Sequence, residues 1–236
     1  MTNRSKKPAL VMLSGHLCSE KLWENQIKEF SEAYECLPYV FRKGDSIENY
    51  AMQVLETAPA SFSLIGLSMG GYVAFEIIRR APLRVERLAL LDTSAEADTA
   101  ARTAQRYIDM KAADELGLEA FAKTLPSRWM HPTQATQDYF GQATIEMVLS
   151  VGLAAQKQQQ KALMNRVDSF PTLAMIKCPT LVLCGREDQA TPLSMHEEMA
   201  GTISDSRLVV VEQCGHLSTM EKPEEANTAL RSWLTR

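Results

Sequence analysis

The sequence offers little with which to cross a membrane, grip a polyanion or hold a metal. Near the N-terminus a basic start runs into the apolar stretch ALVML at 9–13, which is too short for a signal-peptide core or a membrane span. Basic residues number 25 against 29 acidic ones, a formal charge of -4, so there is no cationic footprint for nucleic acid and no polybasic tether for a lipid surface. Cysteine is scarce. Cys18, Cys36, Cys178, Cys184 and Cys214 are odd in number and scattered, without the paired spacing of a zinc site or a redox motif, and they read as reduced, mostly buried thiols. No internal repeat is present. These absences point to a cytoplasmic protein that works on a neutral or small molecule, without nucleic acid, membrane or a zinc site.

What is present is an ordinary globular composition, with 45% apolar and 23% charged residues over 236 positions, enough for a sizeable core. Short apolar, β-branched runs at 8–13, 36–41, 62–66, 86–92, 179–184 and 207–212 alternate with amphipathic segments, the pattern of parallel strands covered by helices on both faces. Ser19 is placed to cap a helix whose apolar face is Leu22, Trp23, Ile27 and Phe30. Ser46 is placed to cap another carrying Ala51, Val54 and Leu55, and Pro223 with Glu224 and Glu225 suits the first turn of the last helix. The alternation stops between Asp92 and Cys178. Segments 98–116, 118–130 and 133–166 have helical patterns broken at Gly117, Pro126 and Pro132, so a helical insertion is expected; its stretch AAQKQQQKALMNR reads as a solvated helix face. The predicted division is a core of 1–94 and 176–236 with a cap of 95–175.

The chemistry gathers at strand ends. Ser68 lies in GLSMGG between the third strand and its helix, where small neighbours permit a sharp bend that exposes a hydroxyl and the helix dipole favours negative charge. Asp188, in the loop after the fifth strand, and His216, in the loop after the sixth, arrive at the same carboxyl edge. Ser, then Asp, then His is also the chain order of one class of nucleophilic hydrolase. Asp92, ending the fourth strand, is a reserve carboxylate whose expected task is a structural hydrogen bond, and His131 and His196 read as structural. In VMLSGHLCS, Gly15 lets the backbone turn beneath the site, so the backbone N–H groups of His16 and Met69 are the expected oxyanion donors. The imidazole of His16 either lines the pocket or shields it. A thiolate role for Cys18 or Cys214 is the weaker alternative.

With these residues in place, the chain resembles the α/β-hydrolase superfamily, in its carboxylesterase, enol-lactonase and peroxidase-like group, from Pro8 to Leu234. The resemblance implies about six mainly parallel strands flanked by helices and a helical cap over 95–175. Where relatives carry His-Gly-aromatic after the first strand, this chain has Ser14-Gly15-His16. Ser68 excludes the dehalogenase mechanism, which needs Asp at that elbow, while Leu17 and Tyr72 stand where peroxidase-like members carry Pro and menaquinone-pathway lyases carry Arg. GLSMGG also lacks the tryptophan of prolyl aminopeptidases. The implied activity is hydrolysis of a small carboxylic ester through an acyl-enzyme, with Ser68, His216 and Asp188 as the triad, without metal or cofactor, in a monomer or homodimer. A lactone, a thioester or a C–C bond would suit the same constellation, and a non-catalytic ligand-binding protein of this fold is the alternative from another class. Leu17, Trp129 and Met147, with Met130 and Tyr139, are expected to shape an apolar acyl pocket.

Overall fold

Six strands form where the apolar runs stand, and every pairing between them is parallel. They are β1 (Ala9–Leu13), β2 (Glu35–Tyr39), β3 (Phe62–Leu67), β4 (Val85–Leu91), β5 (Thr180–Gly185) and β6 (Ser206–Val211), arranged β2-β1-β3-β4-β5-β6. This computed structural model describes residues 7–236; residues 1–6, the basic start of the segment assigned to the core, lie outside the described residues. Strands β1, β3 and β5 are buried at every position, as continuous apolar runs require when helices cover both faces. The second strand ends at Tyr39, short of the expected 41, because Leu13 opposite Tyr39 is the last pair with β1. Phe41 then turns inward and stacks on Tyr50, ring centroids 4.7 Å apart.

Helices follow the strands: α1 (Glu24–Phe30), α2 (Ile47–Thr57) and α3 (Met69–Arg80). Ser46 caps α2 by accepting the Asn49 amide at 3.1 Å, and Ser19 caps the 3-10 turn at Glu20–Trp23 that leads into α1. Between β4 and β5 the chain is helical only: α4 (Ala100–Glu115), α5 (Leu118–Ala122), α6 (Pro126–Trp129), α7 (Pro132–Ala135), α8 (Asp138–Val151), α9 (Leu153–Met164) and α10 (Phe170–Leu173). The helix expected over 133–166 is therefore three. One break falls at Gly152, whose φ of 91° no side-chain-bearing residue adopts cheaply. The glutamine-rich α9 also departs from expectation, since Gln156, Gln159 and Gln160 are buried rather than solvated. The chain closes with α11 (Leu193–Thr202), α12 (Ser218–Glu221) and α13 (Pro223–Leu234). Among the described residues no helix is long and apolar enough to cross a membrane.

The period of two along each strand sorts the core. Val11, Leu64 and Leu88 face α2, α3 and α11, with Val73, Ile77 and Met199 in that cluster. Leu10, Ile65 and Ala89 face the other way, toward Trp23, Leu230 and Trp233 of the α1 and α13 side. A third cluster joins Leu17 in the loop after β1 to Phe121, Leu125 and Val148 of the helical segment. Fully burying one such side chain contributes roughly 1.5–3 kcal/mol, so both sheet faces and the helical segment are firmly seated. The winding reverses between β1 and β3, because β2 lies on one side of β1 and β3 on the other. Loops at such a switch point part and leave a crevice outside the carboxyl ends of the strands.

Candidate functional site

At that switch point β3 turns into α3 through Ser68, which takes φ 54° and ψ -116°. A serine there is strained by roughly 1–3 kcal/mol, so the surroundings must hold it. They do so by close approach. A Cβ on Gly66 would stand 2.4 Å from the Gly70 carbonyl oxygen, one on Gly70 would stand 2.0 Å from that of Leu13, and one on Gly71 would meet Thr93 Oγ1 at 2.3 Å. Thr93 in turn donates to the Ser68 carbonyl at 2.8 Å. The three glycines of GLSMGG thus let α3 lie directly against β1 and β4, which forces the corner that carries the hydroxyl. Gly70→Ala is expected to push α3 off β1 and lower stability by at least about 3 kcal/mol, about 6–12 °C in Tm, read by thermal denaturation.

The three side chains singled out at the strand ends meet. Ser68 Oγ lies 2.9 Å from His216 Nε2, and His216 Nδ1 lies 2.8 Å from Asp188 Oδ2. A carboxylate only accepts, so Nδ1 carries the proton and Nε2 accepts from the serine hydroxyl. Asp188 is itself pinned: Oδ1 accepts the amides of Ala190 and Thr191 at 2.8 and 3.0 Å, and Oδ2 accepts the Thr191 hydroxyl at 2.7 Å. Burial works against its charge, but the His216 imidazole and the Thr191 donors outweigh burial and hold its pKa below the usual value. For His216 burial disfavours the cation, yet the carboxylates of Asp188, Asp92 and Glu221 prevail and raise its pKa.

Asp92 makes no bond to the imidazole. Its Oδ1 accepts the Gly185 amide at 3.1 Å, and Oδ2 accepts the amide and hydroxyl of Ser218 at 3.0 and 2.6 Å, which ties the end of β5 to the loop carrying His216. Burial, and next the charge of Asp188, raises its pKa to about 8. Glu221, which no local motif marks, grips the same loop through the amides of Gly215 and Leu217 at 3.1 and 3.0 Å and ties it to the helical segment through the His131 amide at 2.8 Å. His196 is structural, its Nε2 accepting the Thr93 amide at 3.0 Å.

In the loop after β1, Ser14 holds the place where relatives carry histidine, and its hydroxyl accepts Trp23 Nε1 at 3.0 Å. The His16 imidazole is locked by Gln159 of α9. Gln159 Nε2 donates to the Phe41 carbonyl at 2.6 Å, while Oε1 accepts the Leu17 amide at 2.8 Å, so the amide orientation is fixed. His16 Nδ1, 2.8 Å from the same Oε1, must then be the protonated nitrogen, leaving Nε2 bare. Burial lowers the pKa of this imidazole to about 3, so it stays neutral. Among the hydrogen bonds of the described residues, the backbone N–H groups of His16 and Met69 have no acceptor.

A cavity of about 290 Å³ opens over Ser68 and His216, with His16, Tyr72 and Trp129 in its lining. Leu17 and Met147 do not line it. Leu17, at φ 57°, packs with Phe121 and Leu125, and Met147 is buried among the α1-side core residues, as is Met130. Tyr139 is 65% exposed on the outside. Of the expected pocket residues Trp129 lines the cavity, the rest of the apolar wall comes from Phe121, Leu125, Leu163 and Leu217, and beside it stand the charged side chains of Arg102, Arg106, Arg128 and Asp109. Cys18 also lines the cavity, but burial pushes its thiol up to about 12, and burial raises Cys214 as well, which leaves neither a nucleophile. Among the described residues no three His, Cys, Asp or Glu side chains converge as a metal site requires.

The family described as the alpha/beta hydrolase fold matches residues 13–223. The chain belongs to that family. It is 29% identical to a pimeloyl-[acyl-carrier protein] methyl ester esterase of Aromatoleum aromaticum over 78% of each chain. It is 25% identical to a candidate carbamate hydrolase of Serratia proteamaculans, over 97% of this chain and 91% of the relative. Among solved structures, a thermophilic esterase from Thermogutta terrifontis with malate bound superposes with a TM-score of 0.87 at 27% identity, over 98% of this chain and 90% of the other.

Proposed function

We propose that this protein hydrolyses a small carboxylic ester through an acyl-enzyme. The observation that carries the reading is the unbroken line from a strained, cavity-facing Ser68 through His216 to a pinned Asp188, at 2.9 and 2.8 Å. Ser68 attacks the carbonyl carbon while His216 Nε2 takes its proton; the imidazolium then returns the proton to the leaving alcohol, and water repeats the cycle on the acyl-serine. Asp188 keeps the working tautomer and stabilises the imidazolium. The amides of His16 and Met69 bind the oxyanion, and residues 95–175 act as the cap that shapes the substrate site. Five free cysteines accord with the reducing, cytoplasmic setting that belongs to the same proposal.

Relatives that act as esterases favour an ester. A carbamate, a lactone, a thioester or a C–C bond would use the same residues, so the deciding experiment is a panel of p-nitrophenyl esters of graded length beside lactones, thioesters and carbamates, with fluorophosphonate labelling of the folded protein. Ester turnover with labelling at Ser68 is the expected result. A folded protein that resists the probe would instead support the non-catalytic, ligand-binding alternative.

The assignment of His16 separates its amide from its ring. His16→Ala keeps the N–H and should retain activity within about tenfold, whereas His16→Pro deletes the donor and should lower kcat roughly a hundredfold or more, the scale of one lost oxyanion contact. Proline also restricts Gly15 before it, so melting temperatures and slow probe labelling must show both variants folded. Equal, severe losses in two folded variants would transfer the task to the imidazole.

A further inference from the structure

The cavity wall formed by the helical segment holds more positive than negative charge. Arg102 and Arg106 of α4 stand one helical turn apart and line the cavity together with Arg128. Among the described residues Asp109 is the only acidic side chain in that lining, and both its oxygens are occupied by Arg128, at 3.0 and 2.8 Å. Behind the wall, Asp98 serves two guanidiniums. Arg106 binds it through Nε and Nη2 at 2.9 and 3.0 Å, and Arg166 binds it through Nη1. The Arg166 side chain is 2% exposed, its Nη2 has no hydrogen-bond partner among the described residues, and it lies 4.4 Å over the ring of Tyr72, which lines the cavity.

Arg102 is the least committed of the set. Its nearest carboxylate, Glu96, is 3.5 Å away, and its other contacts are the Ala190 carbonyl at 3.4 Å and the Met195 sulfur at 3.5 Å. In and behind this wall four guanidiniums therefore share three carboxylates, in a chain whose formal charge is -4. Excess cationic charge is unfavourable in a site partly shielded from water, and an anion that forms charge-assisted hydrogen bonds there offsets it. A neutral substrate does not.

We propose that the ester cleaved at Ser68 carries an anionic group, a carboxylate or a phosphate, at its non-reacting end, and that Arg102, supported by Arg106, selects it. This rests on the ester-hydrolase reading and deepens it. The test is titration calorimetry on the Ser68→Ala protein with monomethyl glutarate, dimethyl glutarate and methyl phosphate. Binding is read without turnover, so a negative result here is distinct from a failure of Ser68 to react with the probe, which would strike the ester-hydrolase reading itself. Monomethyl glutarate should bind at least about tenfold more tightly than its neutral diester. That preference should collapse when Arg102→Gln is added and survive with Arg102→Lys. It should also survive with Arg186→Gln, whose arginine pairs with Glu212 on the surface and is absent from the cavity lining. Tighter binding of methyl phosphate than of monomethyl glutarate would assign the arginines to a phosphoryl group, and the reverse order to a carboxylate. Equal binding of the mono- and diester, no binding of any of the three ligands, or a preference untouched by Arg102→Gln overturns the proposal.

Discussion

Ser68→Ala should abolish ester hydrolysis, with a loss of ten-thousand-fold or more as an order of magnitude, and should leave the fold in place. The loss follows from chemistry: without Oγ no acyl-serine forms, and the residual rate is what the oxyanion donors and binding alone supply. Preservation of the fold follows from position. The hydroxyl faces the cavity and its side-chain bond is to His216 Nε2, an atom that water can serve once the serine is gone. The strained backbone is held by Gly66, Gly70, Gly71 and Thr93 rather than by the hydroxyl, so alanine inherits the same corner. Melting within about 1 kcal/mol of the parent is expected, together with loss of fluorophosphonate labelling. More than a trace of turnover in a clean preparation would move the nucleophile to another residue.

How far such a site can be read from sequence depends on whether its parts are local. The elbow is local, because GLSMGG has to satisfy one strand, one turn and one helix within a few residues, and the glycines record close approaches to Leu13 and Thr93 that no larger residue permits. The strands are local too, since full burial on both sheet faces demands uninterrupted apolar runs. Asp188 and His216 are legible through topology, as both follow parallel strands whose carboxyl ends share one edge. Gln159 is the opposite case. Its neighbours in AAQKQQQKALMNR suggest solvent, and only the tertiary fold brings its amide to His16, Leu17 and Phe41. The same holds for the cavity wall: Arg102, Arg106 and Arg128 look like ordinary solvated helix charges until the packing of the helical segment turns them toward Ser68. Leu17 and Met147 fail as pocket residues for a related reason. Helical or loop apolar residues near a site are more often core than lining, and here both are buried in it.

Two buried aspartates lie close to the imidazole, and isosteric substitution should separate them. In Asp188→Asn the oxygen of the new amide is directed to the Oδ1 position, which accepts two backbone amides at 2.8 and 3.0 Å. Its nitrogen then faces His216 Nδ1 in place of Oδ2. An N–H there drives the imidazole to the other tautomer, with Nε2 protonated and unable to accept the serine proton, so kcat should fall about ten-thousand-fold. Asp92→Asn disturbs a different set of bonds. The amide oxygen is best placed where Ser218 donates twice, which leaves the Gly185 amide opposed by another N–H and costs about 1–3 kcal/mol of stability. Asp92 bonds to neither ring nitrogen of His216, and Asp188 Oδ2 still accepts the Nδ1 proton in this variant, so the imidazole keeps its tautomer. Turnover should therefore fall less than about tenfold in Asp92→Asn while its melting temperature drops, and the reverse should hold for Asp188→Asn. Steady-state kinetics on one p-nitrophenyl ester, run beside thermal denaturation of both variants, gives the comparison. If Asp92→Asn proves the inactive, stable variant, the carboxylate that orients His216 is the one at the end of β4, and the hydrogen bond from His216 to Asp188 does not govern the tautomer.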